Sequence, residues 1–109
     1  MSIPVDVDRL AETLADFGAA YLLTSREGRV KVVSVRPDLA GGVLRAAAPG
    51  RGSVANVAAN PVVTLLWPPD PSARAAHPGF SLLVDGTAET DGDDVVVTPT
   101  GAVLHKPAG

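Results

Sequence analysis

The chain has no cysteine, a single methionine and only four aromatic residues: Phe17, Tyr21, Trp67 and Phe80. Without cysteine sulfur there is no disulfide scaffold, no Cys-rich zinc module and no thiol nucleophile. No apolar run approaches the roughly 20 residues that a membrane-spanning helix needs, and residues 1–10 lack the basic start and apolar run of a signal peptide. A soluble, cytoplasmic protein with no membrane partner is expected. Basic residues are also in deficit, 9 against 12 acidic, for a net charge of −3. Phosphate-backbone affinity requires an excess of Lys and Arg, so nucleic acid is not an expected partner.

What remains is small and aliphatic. The apolar inventory is almost wholly 17 Ala, 16 Val and 11 Leu, and the 109 residues fit one domain spanning 1–109. A domain of this size buries only about two thirds of the surface its unfolded chain exposes, and scarce aromatics reduce the buried area per residue. Burial against a partner is therefore expected. Valine fits the pleated surface of strands, and 11 Gly with 10 Pro imply many turns, so the class reads as mostly β. Charge is unevenly spread. Between Arg26 and Arg51 six basic residues face two acidic ones, and from Pro61 onward the ratio inverts. A local basic stretch in an acidic protein suits a small anionic ligand better than a polymer, although solvated arginines on strand surfaces would give the same count.

Val7, Leu10, Leu14 and Phe17 recur at helical spacing, with Asp6 and Asp8 at the start and Gly18 as a stop, which predicts a helix over 6–17. Strands are predicted over 19–25 and 30–36, joined by a glycine-containing hairpin at Arg26-Glu27-Gly28-Arg29. A turn over 37–42 and a third strand over 43–48 follow. Ser53 is a natural N-cap for a short helix over 53–59, which Pro61 ends. Further strands are expected over 62–67, 80–90 and 95–98, with a Pro-rich loop over 68–79 and a short extension over 102–105. This order excludes repeated βαβ units and predicts an antiparallel barrel of about six strands.

Gly50-Arg51-Gly52-Ser53-Val54-Ala55 matches the G-x-G-x-x-G/A dinucleotide pattern, but no parallel strand within a βαβ sheet follows it. Its local physics survives: glycines allow close backbone approach, a helix start offers free N–H groups, and Arg51 and Ser53 add a charge and a hydroxyl. An anion at 51–53 is the leading reading, against a plain helix cap. On the second strand, alternation puts Lys31 with Val33 and Val35, and Arg36 with Val32 and Ser34. A regular strand leaves Arg36 as the contact and Lys31 in solvent; a bend or bulge would bring both to one ligand. His77 and His105 offer too few ligands for a metal, and Ser53, His105 and Asp85 have no G-x-S-x-G elbow to unite them as a triad. Asp91, Asp93 and Asp94 read as a hydrophilic hairpin tip.

The hairpin 21–25/32–36, the strand start Gly42-Val43-Leu44, and above all Ser53-x-x-Asn56-Val57-x-x-Asn60-Pro61-Val62-Val63-Thr64-Leu65-Leu66-Trp67 resemble the pyridoxamine 5′-phosphate oxidase-like, FMN-binding split-barrel family. Val84-Asp85-Gly86-Thr87-Ala88-Glu89 resembles that family's next long strand, and the likeness covers about residues 7–105. It implies a Greek-key split β-barrel that forms a homodimer, with the ring of FMN or of deazaflavin F420 between the subunits. Carried over by position, the basic contacts fall on Arg36 and Lys31, and the strand facing the ring on Val33, Ser34 and Val35. The third-strand phosphate contacts fall on Ala46 and Ala47, and the Arg-Lys pair before the helix on Gly52 and Ser53, with Arg51 one position away. The family's substrate-binding C-terminal segment has no counterpart, so pyridoxamine phosphate oxidation is not expected. The implied function is a small flavin or deazaflavin oxidoreductase in which the cofactor performs the redox step. The alternative is a non-catalytic cofactor-binding or ligand-free dimeric barrel.

Overall fold

The computed structural model describes residues 1–71 and 76–108. One antiparallel sheet holds β1 (Ser2–Val5), β2 (Ala20–Arg26), β3 (Arg29–Val35), β4 (Asp38–Ala40), β5 (Val43–Ala46), β6 (Val62–Trp67), β7 (Ser81–Asp91) and β8 (Asp94–His105). Helix α1 (Leu10–Leu14) precedes β2, and α2 (Arg51–Ala59) lies between β5 and β6. Spatial order is β3-β2-β6-β7-β8-β5-β4, with β1 also paired to β8. The sheet is not closed; β3 and β4 stand at its ends.

The mostly-β antiparallel reading holds, and the strand count rises from six to eight. Asp38–Ala40, expected as a turn, folds back on Val43 through Gly41-Gly42, so Ala40 pairs with Val43 and Asp38 with Arg45. Ser2–Val5 was too short to register as a strand by periodicity, and it forms one by pairing with Ala102–His105. The predicted helix over 6–17 is a 3-10 turn at Val7–Arg9 followed by α1, with Asp6 accepting the Asp8 N–H at 2.9 Å. The third strand ends at Ala46 rather than Ala48. Of the Pro-rich loop, residues 72–75 lie outside the described residues; the rest is neither helix nor strand.

The two segments expected at 95–98 and 102–105 are one strand, running through Pro99. β5 occupies the free edge of β8 at Val95–Val97 and β1 at Ala102–His105, so Pro99 falls where no second neighbour needs its missing N–H. Gly86 lies opposite Pro99 and Asp85 opposite Gly101, which leaves Thr100 as the extra residue of a β-bulge. The bulge resets which side of the strand faces inward. Val95 and Val97 are buried before it and Leu104 after it.

Inward residues of β2, β3, β5, β6, β7 and β8 share one core with Leu10, Val57 and Phe80. Leu22, Leu44, Leu65, Leu82, Val84 and Val97 are fully enclosed, and Trp67 belongs to this core. The opposite face of β2, β3 and β6 is apolar but open: Val30, Val32 and Val62 are more than half exposed and Tyr21 is 42% exposed. Register places Val32 beside Leu23 and Tyr21 beside Leu66, so these side chains form one patch. A contiguous exposed apolar patch marks an interaction surface.

Candidate functional site

Helix α2 is held against β2 by two asparagines. Asn56 donates to Thr24 Oγ1 and Asn60 to Ser25 Oγ, each at 3.0 Å. Asn60 Oδ1 also accepts the Val62 N–H, and the Pro61 carbonyl accepts the Ala88 N–H at 2.7 Å. The Asn60-Pro61 step thus ends the helix, starts β6 and satisfies the groups exposed by the change of direction.

At the other end, Gly50 is the boundary residue. Its φ of 116° is a conformation that L side chains rarely adopt, and its carbonyl takes the first helical bond, from Val54 N–H at 3.1 Å. Ser53 is therefore not the N-cap expected from sequence. It lies within the first turn, fully buried, and among the described residues its Oγ is the buried side-chain polar atom without a hydrogen-bond partner. The N–H groups of Arg51, Gly52 and Ser53 have no intrahelical acceptor, which gives this end partial positive character.

Lys31 reaches this turn from β3. A Cβ at Gly52 would sit 2.8 Å from Lys31 Cε and 3.1 Å from Nζ, so the lysine stem lies on bare helix backbone. Lys31 was expected to be the more solvated cation of β3. It is exposed, yet it packs on Gly52, while Arg36 follows the end of the strand. Neither Lys31, Arg36 nor Arg51 joins an ion pair among the described residues. Unpaired cations, a helix start and an orphaned hydroxyl together favour an anion.

The turn before α2 is clipped from outside. Arg45 donates to Asp94 at 3.0 Å and to Asp91 at 2.9 Å, and Asp94 also accepts the Ala48 N–H at 3.0 Å. That clip holds Ala48 in the left-handed region, at φ 42°. Sequence reading took these aspartates for a solvated tip; opposite charges on the adjoining strands β5 and β8 were the available signal. The Ala48 amide first, and Arg45 second, hold the Asp94 carboxyl below its ordinary 3.8. Such a carboxylate stabilises the folded state above its unfolded value, and that contribution is lost as pH falls through the folded value. Asp94→Asn is expected to lower thermal stability at neutral pH and to flatten the loss on acidification below about 3.8. Melting curves across the acid range check this; parallel acid limbs for the two proteins would refute it.

The remaining sequence candidates divide. Val35 is buried, Val33 half-buried and Ser34 exposed, so only alternate residues of β3 face the core. Ala47 is exposed just past β5, whereas Ala46 is in the core. Ser53, His105 and Asp85 form no triad: His105 meets Ser2 at 3.1 Å and Asp85 accepts from Thr64 at 2.7 Å. Among the described residues no group of three or more His, Cys, Asp or Glu could hold a metal, and no helix is long and apolar enough to cross a membrane.

No family model matches the chain. Uncharacterized proteins of Mycobacterium bovis and Mycobacterium tuberculosis are each 39% identical to it over 122 aligned residues, covering 95% of this chain and 82% of the relative. Among solved structures, a FAD-binding protein of Mesorhizobium loti superposes with a TM-score of 0.67 at 15% identity, covering 97% of this chain and 98% of that one. A putative pyridoxamine 5′-phosphate oxidase of Corynebacterium glutamicum gives 0.66 at 12% identity over 99% and 96% of the two chains. The chain belongs to one family with the mycobacterial proteins, and its fold is the pyridoxamine 5′-phosphate oxidase-like split barrel. An F420 reductase shares the fold, with a TM-score of 0.64 at 23% identity over 84% of this chain and 93% of that one. In this split barrel the Lys31 side chain reaches from β3 to Gly52 in the first turn of α2.

Proposed function

We propose that this split barrel is a cytoplasmic homodimer that binds a phosphorylated flavin or deazaflavin, FMN or F420. The observation that carries the reading is the buried, unpartnered Ser53 Oγ in the same helical turn as Gly52, over which Lys31 lies. Those residues fit a phosphate: Lys31 and Arg51 supply charge, Ser53 a hydroxyl, and the first turn of α2 free amides. The strand backbone at Val33, Ser34 and Val35 would face the ring and Arg36 lie at its edge, with Ala47 and Gly52 leaving room beside the phosphate. The bound ring would supply hydride or electron transfer. No side-chain acid or base is then obligatory.

The open apolar patch around Val30, Val32 and Val62 supports the second copy. Stable interfaces cover about 800 Å² per partner, and exposed apolar side chains of this sheet face would form part of such a contact. Analytical ultracentrifugation with FMN or F420, followed at the ring's visible absorption, tests both parts together. Colour sedimenting at the mass of two chains is expected, with the colour lost in Arg51→Ala. A colourless dimer would favour the ligand-free reading, and a monomer would overturn the dimer.

A further inference from the structure

Helix α2 turns a second face towards a groove that shares Arg51 with the site above. The groove, of about 530 Å³, runs between α2 and the tip of the β7–β8 hairpin, lined among others by Arg51, Val54, Ala55, Ala58, Thr90 and Asp93. Small-molecule sites typically occupy about 300–1,000 Å³ and combine apolar walls with a few placed polar groups. Beyond Arg51 the helix side carries nothing larger than valine, so a flat ring can approach the backbone. Thr90 and Asp93 add a hydroxyl and a carboxylate from the hairpin, and Arg51 belongs both to the groove and to the first turn of α2. Arg45 engages the neighbours Asp91 and Asp94, and Asp93 has no ion pair among the described residues.

The glycine pattern at 50–55 acquires a physical reading in this setting. Gly50 makes the turn at φ 116°, Gly52 presents bare backbone, and Ala55 is a groove wall. A turn of this kind lets a pyrophosphate approach the start of a helix. A pyrophosphate at that point has one end towards β3 and the other towards the groove.

We infer that the groove between α2 and the β7–β8 tip is a nucleoside subsite, taking the adenosine half of a dinucleotide flavin whose pyrophosphate lies at the start of α2. This rests on the cofactor reading above and extends it from mononucleotide to dinucleotide. The base lies on Val54, Ala55 and Ala58, Asp93 and Thr90 hydrogen-bond the ribose hydroxyls, and Arg51 pairs with the phosphates.

ADP and FAD are the probes, with FMN as the comparison. In the isotope-labelled protein, ADP is expected to shift the amide resonances of Ala55, Ala58 and Thr90, and FAD to bind at least about tenfold more tightly than FMN. Ala58→Trp fills the groove from an exposed position and should erase the FAD advantage while leaving FMN affinity unchanged. Asp93→Ala should weaken ADP and FAD but not FMN. No shift at those amides with millimolar ADP, or FAD binding no tighter than FMN, overturns the subsite. ADP shifts without binding of any flavin would instead remove the cofactor reading and leave a nucleotide site standing.

Discussion

Gly86→Ala is expected to destabilise the protein by about 3 kcal/mol, the upper end for overpacking a core, because the clash is with backbone. A Cβ at Gly86 would sit 2.6 Å from the Thr98 carbonyl oxygen and 2.7 Å from Val97 Cγ1. Val97 is fully buried, and Thr98 belongs to the longest ladder in the sheet, so neither can retreat cheaply. Gly86 also sits at the bulge, where the inward side of β8 is reset. In a domain of this size each kcal/mol lowers the melting temperature by about 4–8 °C, so a fall of more than about 10 °C should be seen. Gly101 is the control. It lies across the same bulge, but a Cβ there meets nothing within 4 Å, and Gly101→Ala should change stability by no more than about 0.5 kcal/mol. Equal melting temperatures for the two variants would show that the close approach at Gly86 carries no energetic weight.

The second large effect falls on ligand affinity. Lys31→Glu is expected to weaken flavin binding about 100-fold, since charge-assisted hydrogen bonds contribute about 1.5–3 kcal/mol and the sign is reversed. Gly52→Ala should weaken it about tenfold by a different route, the loss of one such bond. Its Cβ would meet Lys31 Cε at 2.8 Å, and the flexible lysine can swing aside, so the fold survives while the cation leaves the helix start. A purely structural role for Lys31 makes the opposite claim. In the ligand-free protein Lys31 sits at the positive end of α2, so Lys31→Ala should hold or raise stability by a few tenths of a kcal/mol, about the size of a helix-dipole contact. Fluorescence titration together with melting curves separates these outcomes. Undiminished affinity in a folded Lys31→Glu protein would remove Lys31 from the site.

Period-two valine runs and the Asn60-Pro61 step made most of the sheet and α2 legible in the sequence. Both are local signals, set by pleat geometry and by the φ restriction of proline. β1 and β4 were not legible because their evidence is the partner strand, a hundred residues away for β1 and across Gly41-Gly42 for β4. Pro99 hid the continuity of β8, since only the gap between β5 and β1 makes a mid-strand proline harmless. At the site, the chemistry of Arg51 and Ser53 could be read, but Ser53 as N-cap could not survive Gly50 taking the boundary at φ 116°. The approach of Lys31 to Gly52 depends on how β3 lies against α2, which no spacing in either segment encodes. Arg45 and Asp94 were overlooked for the same reason, being 49 residues apart in the chain.

The pairing of β1 with β8 bears on how the chain folds. Ser2 meets His105, the Met1 amine donates to the Lys106 carbonyl at 2.9 Å, and the Lys106 amide returns a bond to Met1. Closing that ladder restricts nearly the whole chain, so its entropic cost is met only once the intervening strands have already brought the ends together. During synthesis β1 waits for a partner made about a hundred residues later. Without β1 the second half of β8 has β7 alone beside it, and contacts of such long sequence separation place the chain among slow-folding topologies.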